Sequence, residues 1–372
     1  MHSGKLFTAI VGAVLIWAAS PAVTRGQSDP GANRWLAANG EVSPPPSAAA
    51  SPDAECAAAG CCLPSDCLRW TAGVDFIILD RIGSVNQPLV STYPPHNPII
   101  PGTGTERLDA GNLDQSFASG PRVDLIRRGD SGCDLEFSFF EIDTWNSAKS
   151  IAPNPSPLPN WLVFMAPGNF VQTTDYSYQS MGWEHAAKLA NAELNVRWNP
   201  CPRVTVLAGF RWVELWEDLQ GTIEPSDRTS PFWDTKTRND LYGFQIGGGW
   251  KVWNGGGFSI DGALKAGIYD NTAEETTGVS IYREVYWESC AANRAAFLGE
   301  IDLQCKYQVT PRLAAKIGYE AMWLQGVALA PNQVQETYCH GDAAPIYVQA
   351  RGIDGGSSVF FHGATVGLEF SF

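Results

Sequence analysis

The chain has 372 residues, 44% of them hydrophobic and 17% charged, with 37 glycines, 14 tryptophans and a formal net charge of −14. So acidic a balance lacks the basic footprint that phosphate backbones demand, which excludes nucleic acid as a partner. Past the leader, no stretch approaches the roughly 18 apolar residues of a spanning helix, so any membrane crossing falls to strands.

Met1 to about Gly26 joins a short basic start (His2, Lys5) to the apolar run LFTAIVGAVLIWAA and small residues near Ala22 and Gly26, the layout of a secretory signal peptide. Residues 27–67 follow as a flexible segment rich in Ala, Pro and Ser (NGEVSPPPSAAASPDAE), a composition that cannot bury a core. It ends in ECAAAGCCLPSDC, whose Cys56, Cys61, Cys62 and Cys67 read as local disulfides in an exported chain. Their spacing is not that of paired CxxC units and no histidine stands near, so no metal or other cofactor is expected.

From Leu68 to the end, ten segments alternate between an apolar and a polar parity. In chain order they are LRWTAGVDFIIL, PRVDLIRR, CDLEFSF, LANAELNVRW, RVTVLAGFRW, LYGFQIGGGWKVW, FSIDGALKAGIY, FLGEIDLQCKY, LAAKIGYEAMW and FFHGATVGLEFSF. Successive strand side chains point to opposite faces, and runs of about 8 to 13 residues suit tilted strands that cross a bilayer. The links between them run long, short, long, short without exception, the short ones being GDSG, NPCP, NGGG and QVTP. Outer-membrane barrels segregate short periplasmic turns from long external loops in this way, and a soluble sandwich has no reason to. The expectation is an all-β, closed antiparallel transmembrane barrel over residues 68–372. It has about ten strands, or twelve if the long link holding WLVFMAPGNFVQ adds a hairpin.

The stretch ANAELNVRWNPCPRVTVLAGFRWVELWEDL (Ala190 to Leu219) resembles a hairpin of the Legionella-type major outer-membrane protein family and the related porin-like barrel proteins of planctomycetes. The likeness lies in AELNVR followed by VLAGFRWVEL, and GLEFSF suits the terminal strand that barrel-assembly machinery reads through Phe370 and Phe372. This resemblance implies an outer-membrane barrel with a pore or surface role, lipid and the assembly machinery as partners, and no catalytic residues.

If the oily parity faces lipid, the other parity lines a closed interior. That interior then holds the acids Asp75, Asp124, Asp134, Glu136, Glu193, Asp261, Glu300, Asp302, Glu320 and Glu369. Its bases are Arg69, Arg122, Arg197, Arg203, Arg211, Lys251, Lys265, Lys306 and Lys316. The two sets nearly cancel, and a barrel this narrow has little width beyond its own side chains. Two readings stand: a narrow water-filled pore passing small solutes or ions, and a lumen plugged by a salt-bridged network under a structural or adhesive surface protein. Near segment ends Trp70, Trp183, Trp198, Trp212, Trp250, Trp253, Tyr269, Tyr307 and Trp323 are expected to form the interfacial girdles.

A hydrolase with a loop-borne site is the rival class. The mature chain keeps only His96, His185, His340 and His362, and neither GxSxG nor HExxH occurs, so no enzyme is expected. His185 reads as a strand-edge residue and His362 as lipid-facing. Arg128-Gly129-Asp130 falls in a short turn and reads as turn chemistry. Cys290 and Cys339, in two long links on one end, are candidates for a disulfide, whereas Cys133 and Cys305 read as small lipid-facing residues.

Overall fold

The computed structural model describes residues 69–83, 86–93, 104–113, 115–129, 132–152, 161–164, 180–224, 232–281, 284–340, 347–350 and 352–372. The signal peptide, the flexible segment and Cys56, Cys61, Cys62 and Cys67 lie outside those residues. In chain order the strands are β1 (Trp70–Ile82), β2 (Pro88–Tyr93), β3 (Thr105–Asp109), β4 (Ala118–Arg127), β5 (Cys133–Ile151), β6 (Trp161–Phe164), β7 (Ser180–Cys201), β8 (Val204–Glu224), β9 (Phe232–Gly255), β10 (Phe258–Ile281), β11 (Glu284–Gln308) and β12 (Leu313–Val327). The helix α1 (Ala330–Glu336) follows, then β13 (Thr337–His340), β14 (Tyr347–Ala350) and β15 (Ser357–Ser371).

Ten strands close a barrel in the order β1-β15-β12-β11-β10-β9-β8-β7-β5-β4, every pair antiparallel. These ten are the segments that alternation marks in the sequence. Of the stretch WLVFMAPGNFVQ, only Trp161–Phe164 is described, and this β6 pairs with β2 in a separate sheet of order β3-β2-β6 rather than joining the barrel. The seam closes where the first barrel strand meets the last. Trp70 N donates to Phe372 O at 2.9 Å, and Phe372 N donates back to Trp70 O at 2.9 Å. Closure leaves no strand edge unpaired, as a bilayer core requires.

Short turns gather at the end of the barrel that carries Trp70 and Phe372. Between β9 and β10 the turn is made by Gly256 and Gly257, at φ 61° and 83°, a left-handed conformation that side chains resist. Arg128 and Gly129 lie in the β4–β5 turn, as read from the sequence, while Asp130 is outside the described residues.

The strands are longer than the apolar alternation suggests. β9 and β10 each have 24 residues and β11 has 25. A barrel strand crosses a bilayer in about 9–11 residues, so more than half of β11 extends beyond the crossing. Two of the expected long loops, about Glu217 to Arg238 and Asn271 to Ala292, are therefore mostly strand: β8 runs on to Glu224 and β10 to Ile281. The register continues unbroken through them, with Glu217 opposite Thr237 and Glu275 opposite Cys290.

Around the turn-side half of the barrel the outer face is apolar. Phe244 is 76% exposed, Ile268 73% and Ile246 70%, and Val74, Val196, Leu264, Ile301, Ile317 and Val366 stand beside them. In water such a belt would be an aggregation surface; against hydrocarbon it is the stable arrangement. Together with the closed ring and the turn layout, it is the build of an outer-membrane β-barrel.

Candidate functional site

The interior of the belt region is where the two sequence readings diverge, and it is filled. Strand alternation sends Asn191, Glu193 and Asn195 of β7 inward beside Arg211 of β8, Gln245 of β9, Lys265 of β10 and Glu300 of β11. Arg211 is fully buried. Its Nη1 donates to Glu300 Oε2 at 2.6 Å and lies 3.5 Å from Glu193 Oε1, and its Nε donates to Asn191 Oδ1 at 2.6 Å. Lys265 Nζ stands 3.0 Å from both Glu193 Oε2 and Glu300 Oε1. Gln245 Nε2 completes the ring by donating to Glu193 Oε2 at 2.7 Å and Asn195 Oδ1 at 2.8 Å. Two acids and two bases thus neutralise one another across the bore. Such buried pairs add little net stability, but removing one partner typically costs about 3–5 kcal/mol because the other charge is stranded.

The remaining lumen residues pair in the same fashion. Lys316 Nζ lies 2.9 Å from Asp75 and 3.7 Å from Asp124, which also accepts Ser138 Oγ at 2.7 Å. Arg122 is paired with Glu320. Lys306 bridges Glu369 at 2.8 Å and Asp261 at 3.8 Å, and Arg197 holds Glu136 at 2.6 Å. Asp302 accepts Gln304 Nε2 at 3.0 Å, and Asp134 accepts Asn199 Nδ2 at 2.8 Å near the turns. All ten acids expected in the lumen carry one of these contacts, as do the bases Arg122, Arg197, Arg211, Lys265, Lys306 and Lys316.

Above this network the interior becomes apolar. Ile77, Leu79, Phe140, Ile142, Trp145, Leu189, Leu215, Leu241, Leu298, Leu324 and Phe361 form one buried cluster. Trp145 packs on Phe361 at 5.4 Å between ring centroids, and its Nε1 donates to Leu79 O at 2.9 Å. Where the polar and apolar layers meet, the void beside Arg211 measures ≈10 Å³. That is about the smallest volume able to hold one water molecule.

A second polar cluster lies higher still, among the strand extensions. Arg81 of β1 is paired with Glu217 of β8. The same carboxylate accepts the Ala330 N–H at 2.9 Å, and His185 Nε2 of β7 stands 3.5 Å away. Burial alone would push the Glu217 carboxyl up; the Arg81 guanidinium, His185 and the Ala330 amide outweigh it and hold it down at about 2. Nearby, Asn239 Nδ2 donates to Ala328 O at 2.8 Å and its Oδ1 accepts Ala328 N at 2.7 Å, while Asn271 Nδ2 donates to Gly326 O at 2.9 Å. These bonds hold the segment Gly326 to Ala330 against the inside of the wall, where Ala328, Leu329 and Ala330 are buried. No charge pattern announces this tether, because its partners lie 89 residues apart in the chain.

The outer aromatics sort into two levels. Trp198, Trp250 and Trp253 sit outward near the turns with Trp70 and Tyr307, and Trp212 and Trp323 lie at the opposite margin of the belt, Trp323 edge-on to Phe297 at 5.9 Å. Phe370 and Phe372 are outward and stacked at 5.7 Å. Two expected girdle members are not there. Trp183 and Tyr269 are 2% exposed and point into the barrel. Each lies over a glycine of the neighbouring strand, Trp183 over Gly221 and Tyr269 over Gly243, where a Cβ would come within 2.8 Å of the ring. The glycine makes the room that the ring fills.

Three further expectations need correction or placement. Cys290, a candidate for a disulfide with Cys339, is a free thiol packed inside against Ala273, Ala328 and Ile353, where it serves as an apolar residue. The Cys339 side chain is outside the described residues, and Cys133 and Cys305 are free on the outer parity. His185 is 3% exposed, a core residue rather than a strand-edge one. His362 keeps the outward parity, with Nδ1 3.1 Å from Tyr319 Oη and Nε2 3.8 Å from Asp80. His96 and the His340 side chain lie outside the described residues.

No family model and no curated protein matches the chain. Among solved structures, the outer-membrane protease OmpT from Escherichia coli aligns at 10% identity and a TM-score of 0.46, covering 82% of this chain and 97% of that one. The Ralstonia pickettii toluene transporter TbuX aligns at 8% identity and a TM-score of 0.33, covering 82% of this chain and 89% of that one. The Pseudomonas putida toluene transporter TodX aligns at 9% identity and a TM-score of 0.30, covering 82% and 90%. Overlaps of that size say nothing about this chain's activity.

Proposed function

We propose that this chain is an outer-membrane surface protein whose bore is closed and whose long external part does the work. The observation that carries the reading is Arg211, fully buried at mid-bore with its charge neutralised by Glu193 and Glu300. A conducting bore needs hydrated charges along a continuous path; here Arg211, Glu193 and Glu300 are buried at mid-bore and the layer above them is hydrocarbon. Export by the leader and assembly through Phe370 and Phe372 belong to the same reading, as does an anchoring role for the apolar belt.

Passive passage of small solutes is the competing reading, favoured by the resemblance of the Ala190 to Leu219 hairpin to porin-like barrels. Planar-bilayer recording from the purified full-length protein separates the two. Closure predicts a flat current trace in 1 M salt; reproducible stepwise currents from the wild-type protein overturn it.

A further inference from the structure

A cavity of ≈330 Å³ opens at the external end, between the end of β1, the turn after β3, His185 of β7 and the start of α1. Its volume falls within the range of small-molecule sites, roughly 300–1,000 Å³. Leu113, Leu329 and Pro331 supply an apolar wall, and Arg81, Gln115 and His185 supply the polar one. Those three polar residues are 7%, 5% and 3% exposed. Arg81 Nε and Gln115 Oε1 are buried atoms with no hydrogen-bond partner among the described residues, while His185 Nε2 faces the Glu217 carboxylate at 3.5 Å. The Gln115 amide is oriented, because its Nε2 donates to His185 O at 3.0 Å.

Among the buried lining residues the formal charge is already cancelled; Asp80, which also lines the cavity, keeps a side chain 28% exposed and stands 3.8 Å from His362. Arg81 is paired with Glu217, and a charged guest would bring an uncompensated charge into a buried site, which is expensive. What is left over is one donor at Arg81 Nε and one acceptor at Gln115 Oε1. A hydroxyl both donates and accepts, so a neutral molecule bearing several hydroxyls satisfies both while its carbon skeleton lies on the apolar wall. We propose that this cavity binds a neutral polyhydroxylated molecule of about monosaccharide size. The inference is independent of whether the bore conducts.

Titration calorimetry on the full-length protein in detergent tests it, with glucose, galactose and mannitol as probes and acetate and inorganic phosphate as charged controls. The expected result is saturable heat from at least one polyol, none from the anions, and at least tenfold weaker polyol binding in Gln115→Leu. Gly111→Phe, which fills the cavity from the turn, abolishes the signal and decides the matter should Gln115→Leu fail to fold. Both variants are checked for the folded band on unboiled gels. The proposal is overturned by no heat from any polyol, by anion binding tighter than polyol binding, or by polyol binding that survives in the folded variants.

Discussion

The lower and upper parts of this barrel are made by the same strands with opposite polarity. On β7 the inward residues of the lower part are Asn191, Glu193 and Asn195, and the outward ones Leu194, Val196 and Trp198. Higher up the inward residues are Met181, Trp183 and Leu189, and the outward ones Glu184 and Lys188. Neither parity nor register changes between the two parts, since β7 pairs continuously with β8 from Ser180 to Trp198. What changes is the surrounding solvent. Hydrocarbon outside demands an oily exterior and tolerates a polar interior whose groups are all paired; water outside demands the arrangement of a soluble protein. One sheet can therefore serve two media, and the switch in side-chain chemistry marks where the medium changes.

The largest expected effects come from breaking either interior. Trp145→Ala empties a fully buried site in the upper part and should cost about 3–5 kcal/mol, read as a shift in the urea midpoint of the folded band in detergent. Arg211→Met strands Glu193 and Glu300 in the lower part beside Lys265 alone, at about 3–5 kcal/mol, read the same way. If Arg211→Met instead proves as stable as the wild type, the dry network described here is wrong.

Placing one charge on both outer faces sharpens the contrast. Val366→Arg, mid-belt, should cost about 2–4 kcal/mol in lipid vesicles. Thr222→Arg, on the exposed outer face of the upper part, should stay within about 0.5 kcal/mol. Equal effects would mean that hydrocarbon does not end between them.

Acid should act next, and in the upper part it acts through Glu217. Because folding holds Glu217 at about 2, below its ordinary 4.5, its contribution is fully present above pH 4.5 and is lost as pH falls toward 2. Glu217→Gln should lower stability at neutral pH and flatten that acid limb of the unfolding curve.

The smallest effect has the opposite sign. Burial, with the Asp234 carboxylate beside it, pushes Asp218 on the outer face up to about 6, so its charged form disfavours the fold as pH rises from 3.8 through 6. Asp218→Asn should stabilise the protein slightly at pH 7.5 and leave it unchanged at pH 4, by the same urea assay.

The lower part was legible in the sequence because alternation there is strong on both faces. An oily parity of Phe244, Ile246 and Ile268 against Gln245 and Lys265 has one interpretation once the turns are short on one side. The upper part was not. There the inward set mixes Trp183, Leu219 and Trp233 with Thr235, Asn239 and Glu217, and the outward set mixes Trp216 and Trp287 with Lys188 and Asp234. Local periodicity blurs, and the stretches read as loops. Trp183 and Tyr269 were misplaced for a related reason: an aromatic near a segment end suits an interfacial girdle and an interior cap equally well, and only the glycine across the strand pair tells them apart. Lumen charges were recoverable by parity, but the closing of Arg211 onto Glu300 depends on residues 89 positions apart. The Arg81, Glu217 and His185 cluster likewise joins three strands that no local motif connects.

The reciprocal bonds between Trp70 and Phe372 have a consequence for how the molecule is made. The first barrel strand waits for the last, so throughout synthesis and export the sheet carries two bare margins, and nothing local in the chain can seal them. Until β15 is in place beside β1, the sheet is an open ribbon exposed to any other strand nearby.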